Sequence, residues 1–281
     1  MAVLLPRSLD EVMAQLAAHD GAELLGGGTD LMVAVNAGRH PVGTVIALDR
    51  VPELARWRRD GDRLVLGAGL TYRQLLEPGL AELAPALAQA ARTVGSPQIR
   101  NAGTLGGNLA TASPAGDTLP VLAALDATIE TRSTRGRRLV AFPDFFLGPK
   151  QTALEPDEVI VAAHIQVAAG PQEFLKVGTR NAMVIAVASA AVVVDRRARS
   201  VRVGLGSVGP TPLRAPAAEA LAAGSVDWDR QTIDDAAVFE QFGRLVSDAA
   251  RPIDDHRSSA DYRRHCVGVL ARRALVRIFA P

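Results

Sequence analysis

Residues 95–117 read GSPQIRNAGTLGGNLATASPAGD, and this stretch constrains the chain more than any other. It is 23 residues long and rich in Gly, Ser, Pro, Asn and Thr. Segments with apolar repeats flank it: LAELAPALAQAARTV (80–94) reads as a helix, with Pro85 near a start or break, and LPVLAALDATIE (119–130) returns to apolar periodicity. With neither a helical nor an alternating pattern of its own, the stretch is expected to be irregular. Loops this long in compact domains are functional or disordered, and the interspersed apolar residues argue for order. Within it, Thr104-Leu105-Gly106-Gly107-Asn108, followed by Thr111, Ser113 and Asp117, opens the backbone at two glycines. The flanking side chains suit phosphate or sugar oxygens, and the Asp117 carboxylate can accept hydrogen bonds from two ligand hydroxyls. A loop held by its own Asn and Ser bonds is the competing reading.

A second glycine run lies about 75 residues earlier. Leu25-Gly26-Gly27-Gly28-Thr29-Asp30-Leu31 follows a short strand-like AELL. Glycines permit positive φ and close approach of a ligand, and successive amides in such a turn can form an anion nest. Thr29 offers a hydroxyl. Asp30 would repel a phosphate, so it is assigned as a helix cap pointing away from one. Alone, the run fits a tight turn at least as well as a site. Two such segments in one chain fit two parts of one long diphosphate ligand.

The familiar dinucleotide spacing occurs elsewhere, at Gly204-Leu205-Gly206-Ser207-Val208-Gly209. That fingerprint needs a helix opening within the glycines, and Pro210 and Pro212 oppose one, so a strand-to-turn is expected here. No P-loop spacing is present.

The rest of the chain reads as segregated strands and helices, which favours an α+β fold over a regular doubly wound sheet. Ser8 has capping-box spacing with Glu11 and starts a helix over 9–19. Strands are expected at 44–48, 63–70, 138–146, 158–167, 183–194 and 201–208, with long helices over 231–249 and 259–279. A boundary falls near 168–172.

Composition excludes several classes. Net charge is +1, and 11 aromatics leave no basic, aromatic-studded patch for nucleic acid. Only two of the 31 basic residues are lysines, Lys150 and Lys176. Cys266 is the single cysteine, which excludes a disulfide framework and an iron–sulfur cluster built from this chain alone. His19, His40, His164, His256 and His265 show no metal-ligand spacing, and Ser113 has no evident His/Asp partners. The opening MAVLLPRSLDE lacks signal-peptide character, and the longest apolar run, 183–194, is too short for a membrane helix. A cytoplasmic protein is expected, with no membrane span and no nucleic-acid partner.

Taken together, GGGTDL and the segment from Gly95 to Ala127 resemble the FAD-binding (medium) subunit of the molybdenum hydroxylases, the group of xanthine, carbon monoxide and nicotine dehydrogenases. The resemblance extends to DFFLGPK (144–150), LEPDEVI (154–160), FLKVGTR (174–180), VGLGSVGPTPLRA (203–215) and YRRHCVGVLARRAL (262–275). It implies a two-part FAD-binding domain of the vanillyl-alcohol-oxidase (PCMH) type over 1–170, with subdomains of about 1–55 and 56–170. A smaller C-terminal α/β domain over 171–281, with a three-stranded sheet and helices, would follow.

It also implies that Leu25–Leu31 and Thr104–Asn108 wrap the FAD diphosphate and that Asp117 binds cofactor hydroxyls. Ile160 would lie near the isoalloxazine ring. Lys176 would lie near the ring's polar edge, where a cation stabilises negative charge on the reduced ring. No side chain would act as catalyst and none would ligate a metal. The implied partners are a large molybdenum–pterin subunit and a small subunit with two [2Fe–2S] clusters, in a heterotrimer or a dimer of heterotrimers. Electrons would leave to NAD, a quinone or oxygen. Two other classes stand beside this: a flavin-free assembly subunit of the same complex, and a stand-alone FAD oxidase. Val94 falls where some relatives place an aromatic against the flavin, and Val184 where relatives often carry a polar residue.

Overall fold

Ser8 starts the first helix as its spacing predicts: its Oγ accepts the Glu11 amide at 3.2 Å, while the Glu11 carboxylate accepts the Arg7 amide at 2.6 Å. The computed structural model describes residues 2–41 and 43–280. In chain order the first elements are β1 (Ala2–Leu4), α1 (Leu9–Ala18), β2 (Glu23–Leu25), α2 (Leu31–Asn36) and β3 (Thr44–Ala47). Next come β4 (Trp57–Asp60), β5 (Arg63–Gly67), α3 (Pro78–Leu83), α4 (Pro85–Thr93), α5 (Pro97–Ala102), α6 (Leu105–Thr111) and α7 (Leu119–Ala124). Then follow β6 (Thr128–Ser133), β7 (Gly136–Ala141), α8 (Phe142–Phe145), β8 (Phe146–Gly148), β9 (Gln151–Thr152) and β10 (Val159–Gln166). The last are β11 (Gln172–Val177), β12 (Ala188–Asp195), β13 (Ser200–Gly206), β14 (Leu213–Arg214), α9 (Pro216–Ser225), α10 (Ala236–Ala249) and α11 (Ala260–Phe279). The fold is α+β. No helix among the described residues is long and apolar enough to cross a membrane.

Two units interleave along the chain. The first holds the chain up to Leu75, then Ser96–Ala112 and Ala127–Gln166. The second holds Leu76–Gly95, Ser113–Asp126 and the chain from Val167 onward.

In the first unit β3 is the centre of a parallel sheet ordered β1-β3-β2, and it reads as the buried apolar run Val45-Ile46-Ala47. A second, antiparallel sheet is ordered β4-β5-β10-β6-β7. The arginines of the β6–β7 hairpin reach solvent and pair with acids. Glu130 takes Arg132 and Arg137, Glu158 takes Arg138, and Asp157 takes Arg135. Glu130 also accepts from His164 Nε2 at 2.8 Å. Burial raises the Glu130 carboxyl, but the hydrogen bonds from Arg137, His164 and Arg132 outweigh it and hold the group at about 2.

In the second unit the sheet is ordered β11-β12-β13-β14. The expected three strands gain a two-residue fourth, since Leu213 and Arg214 pair with Leu205 and Gly204. Helices α9, α10 and α11 bury Ala222, Phe242, Val267, Ala271, Ala274 and Leu275 in the core that this sheet shares. Helix α9, opened by Pro216, went unpredicted. The strand expected from 183 begins only at Ala188, because Met183 sits at φ 51°, where a strand cannot run.

The dinucleotide-like glycines serve packing. A Cβ on Gly204 would lie 1.8 Å from the Pro120 carbonyl oxygen, Ser207 turns at φ 62°, and the next helix waits until Pro216.

Candidate functional site

The stretch expected to be irregular folds instead into two short capped helices. Ser96 caps α5 ahead of Pro97, a pairing of N-cap and first-turn proline that the sequence displays. Thr104 caps α6, its Oγ1 accepting the Gly107 amide at 3.0 Å. Two glycines in seven residues are poor helix formers, so periodicity alone gave no helix. Tertiary contacts supply it: Leu105 and Leu109 are fully buried, and the Leu105 and Gly106 amides donate to the Leu70 and Ala68 carbonyls at 2.8 and 2.7 Å.

These bonds assign the glycines. A Cβ on Gly106 would lie 2.6 Å from Ala68 Cβ, so that glycine admits the backbone just past the end of β5. The first amides of α6 are already occupied, by Leu70, Ala68 and Thr104. Gly107 is exposed and Asn108 half-buried beside it.

The earlier glycine run meets this segment directly. A Cβ on Gly27 would lie 1.7 Å from the Ala102 carbonyl oxygen, and one on Gly26 would lie 3.0 Å from Thr104 Oγ1. Gly28 takes φ +70°, which glycine adopts without the strain a Cβ brings. Leu25 ends β2 and Leu31 begins α2. Among the described residues the Gly27, Gly28 and Thr29 amides and the Thr29 hydroxyl make no hydrogen bond within the chain. Half-buried and unclaimed, they are the donors that an anion nest requires.

Asp30 departs from its expected role. It holds the N-cap position of α2 but makes no side-chain cap bond, because its φ of −113° and ψ of −52° lie outside the extended region that caps use. Its Oδ2 instead accepts the Thr111 hydroxyl at 3.2 Å, joining the two glycine segments a second time. Neither Thr111 nor Ala102 was singled out for this contact, and a periodicity reading has no signal for it.

In the second unit Asp117 and Lys176 form a buried pair. Lys176, on β11, donates from Nζ to Asp117 Oδ2 at 2.6 Å and to the Thr93 carbonyl at 3.2 Å. The Thr93 hydroxyl also donates to Asp117 Oδ2, at 3.3 Å. Each charged side chain is 7% exposed. Asp117 Oδ1 is buried without a partner. Burial pushes the Asp117 carboxyl above its ordinary range, and the Lys176 ammonium and Thr93 hydroxyl act against that. The sequence suggested a lone cation at position 176; the fold gives it an acidic partner and the last carbonyl of α4. Thr93 could not have been singled out, since its role depends on where α4 ends.

Ile160 lies in β10, 5% exposed, beside a register shift between Ile160 and Ala162. Val94 follows α4 directly as its C-cap.

In the first unit the Gly27, Gly28 and Thr29 amides are left unclaimed, donors that suit a diphosphate; in the second, Asp117 keeps one buried carboxylate oxygen without a partner. Residues 1–166 match the family of the FAD binding domain in molybdopterin dehydrogenase, and residues 173–278 match the CO dehydrogenase flavoprotein C-terminal domain. The chain belongs to this family, the FAD-binding medium subunits of the molybdenum hydroxylases, and is an oxidoreductase component.

Among its relatives, the nicotine 6-hydroxylase medium subunit of Paenarthrobacter nicotinovorans is 32% identical, over 96% of this chain and 94% of the relative. The carbon monoxide dehydrogenase medium chain of Hydrogenophaga pseudoflava is 31% identical, over 96% and 94%. A solved structure of carbon monoxide dehydrogenase from Hydrogenophaga pseudoflava, lacking the Mo-pyranopterin moiety of its molybdenum cofactor, superposes with a TM-score of 0.90. It is 31% identical, covering 99% of this chain and 96% of that one.

Proposed function

We propose that this chain is the electron-transfer subunit of a molybdenum-containing hydroxylase or dehydrogenase, built to hold FAD between partner redox centres and a final acceptor. The proposed partners are a large molybdenum–pterin subunit and a small subunit carrying two [2Fe–2S] clusters, in a heterotrimer or a dimer of heterotrimers in the cytoplasm. The proposed acceptor is NAD, a quinone or oxygen. Bound FAD supplies the ability to take electrons singly and release them in pairs.

The observation that carries the cofactor assignment is the backbone contact of Gly27 with Ala102, which brings the two glycine segments together and leaves the Gly27, Gly28 and Thr29 amides unclaimed. In this reading those amides and the Thr29 hydroxyl donate to the diphosphate. Leu25, Gly26 and Leu31 shape the turn around them. Thr104, Leu105, Gly106, Gly107 and Asn108 form the facing wall, with Gly107 and Asn108 nearest the ligand. Asp30 braces that wall through Thr111. Asp117 Oδ1 accepts from a cofactor hydroxyl, and Lys176 holds Oδ2 so that Oδ1 stays free. Ile160 gives apolar surface toward the ring. Because the Lys176 charge is compensated by Asp117, its effect on the ring is that of a neutralised pair, weaker than that of an isolated cation.

The test is purification of the full chain, FAD titration, and recovery of the native complex with cofactor analysis. A stoichiometric flavin spectrum and co-purifying chains that carry molybdenum and iron–sulfur support the proposal. A colourless chain that FAD cannot restore favours the assembly subunit instead. Turnover of an organic substrate by the chain alone favours the stand-alone oxidase.

A further inference from the structure

We propose that Arg263, on α11, is a positioning residue that holds the Asp117–Lys176 pair in register; the proposal rests on the reading above that Asp117 accepts from the cofactor. The Arg263 side chain is buried, 6% exposed. Its Nη1 donates to two carbonyls, Val187 at 3.0 Å and Ser207 at 2.9 Å, and its Nη2 donates to Asp255 Oδ1 at 2.6 Å.

Both carbonyls belong to residues whose own amides continue toward the pair. The Val187 amide donates to the Val177 carbonyl at 2.8 Å, and Val177 follows Lys176 on β11. The Ser207 amide donates to the Pro114 carbonyl at 2.8 Å. Pro114 lies in the turn that delivers Asp117, closed by Gly116 N–H to Ser113 O at 2.9 Å and Ala115 N–H to Ser113 Oγ at 3.3 Å. One guanidinium nitrogen therefore anchors both backbone segments that carry the two charges.

The geometry is over-determined where it costs most. Ser207 stands at φ 62°, a conformation that a residue with a Cβ keeps only when its surroundings fix it. The charged donor makes stronger bonds to these carbonyls than a neutral one would, and a lysine at 263 has no second nitrogen to hold Asp255 while the first holds both carbonyls. A buried ion pair such as Arg263–Asp255 is by itself weak evidence of a stabilising role. Arg263 is bonded as well to two carbonyls that lead to the same pair.

The experiment uses the full chain and the variants Arg263→Gln, Arg263→Lys, Asp117→Ala and the doubles with Asp117→Ala. FAD affinity is read by fluorescence titration. The expected result is that Arg263→Gln weakens FAD binding about tenfold and Arg263→Lys by part of that, the size seen for residues in one hydrogen-bond network. In the Asp117→Ala background the same changes cost less than about twofold, because the effect runs through Asp117. Equal penalties in both backgrounds overturn the proposal.

A second readout needs no cofactor. The chain has two lysines, exposed Lys150 and buried Lys176, so acylation of Lys176 relative to Lys150 reports on the pair. Arg263→Lys adds a lysine at 263, so labelling is read separately on each lysine-bearing peptide; this variant is expected to raise Lys176 labelling relative to Lys150 more than Val246→Ala, a core variant compared at matched melting loss. Labelling equal to wild type, or equal in the two variants, overturns the proposal even where Arg263→Gln fails to fold. If Asp117→Ala leaves FAD affinity unchanged, the cofactor role of Asp117 fails, and the labelling alone decides whether Arg263 positions the pair.

Discussion

Lys176 and Asp117 lie 59 residues apart in the chain and 2.6 Å apart in the fold, and only one carboxylate oxygen of Asp117 is used in holding them together. The pair is enclosed enough that neither charge can turn to water. Breaking it from one side leaves the other charge stranded. Lys176→Met is expected to destabilise the chain by about 3–5 kcal/mol. The double variant Lys176→Met/Asp117→Leu is expected to recover most of that loss, because both charges leave together. Urea unfolding of the two variants checks this; a double variant no more stable than the single would contradict a buried pair.

Gly27 and Gly28 are adjacent but constrained differently. Gly27→Ala drives a Cβ to 1.7 Å from the Ala102 carbonyl oxygen, so backbone must move and the loss is expected to be about 3 kcal/mol. Gly28→Ala has room, with nearest atoms at 3.4 Å, and suffers only from φ +70°, a cost of about 1–2 kcal/mol. Denaturation midpoints should rank Gly27→Ala below Gly28→Ala, and the reverse order would place the close approach elsewhere.

Thr104 caps α6 by one hydroxyl. Thr104→Ala is expected to cost about 1 kcal/mol, and Thr104→Ser to retain most of it. Thermal melts of the two variants measure the difference. Equal melts for alanine and serine would mean that α6 is held by Leu105, Leu109 and their strand contacts alone.

Glu130 gives the fold an acid-sensitive joint. Its carboxyl, ordinarily near 4.5, is held at about 2 in the folded chain. A depressed carboxyl contributes stability above its unfolded value and loses it as pH falls toward the folded one. Wild type is therefore expected to lose this contribution between about pH 4.5 and 2, while Glu130→Gln, less stable at neutral pH, declines less steeply through that window. Unfolding midpoints from pH 6 to 2 compare the slopes; parallel slopes would remove Glu130 as the source.

Local chemistry made much of this chain legible from residues alone. Ser8 with Glu11 set the start of α1, the prolines after Gly209 ruled out a helix there, and the run at 44–48 fitted a short strand. Each depends on atoms a few residues apart. The two glycine segments were visible as unusual, and their family resemblance pointed to a flavin.

What only the tertiary structure decided is which atoms those segments leave free. Gly106 is a glycine because Ala68, just past β5, packs against it, Asp30 braces Thr111 instead of capping α2, and α6 is a helix because Leu70 and Ala68 accept its first amides. The Asp117–Lys176 pair likewise needed Thr93, Val187, Ser207 and Arg263 to be brought together from distant parts of the sequence. Periodicity and capping act within a turn or two of chain, whereas a hydrogen bond across 59 residues depends on the path of everything between. The residue types set which donors and acceptors the chain carries; the long-range contacts selected the amides and the carboxylate oxygen that stay unclaimed within it.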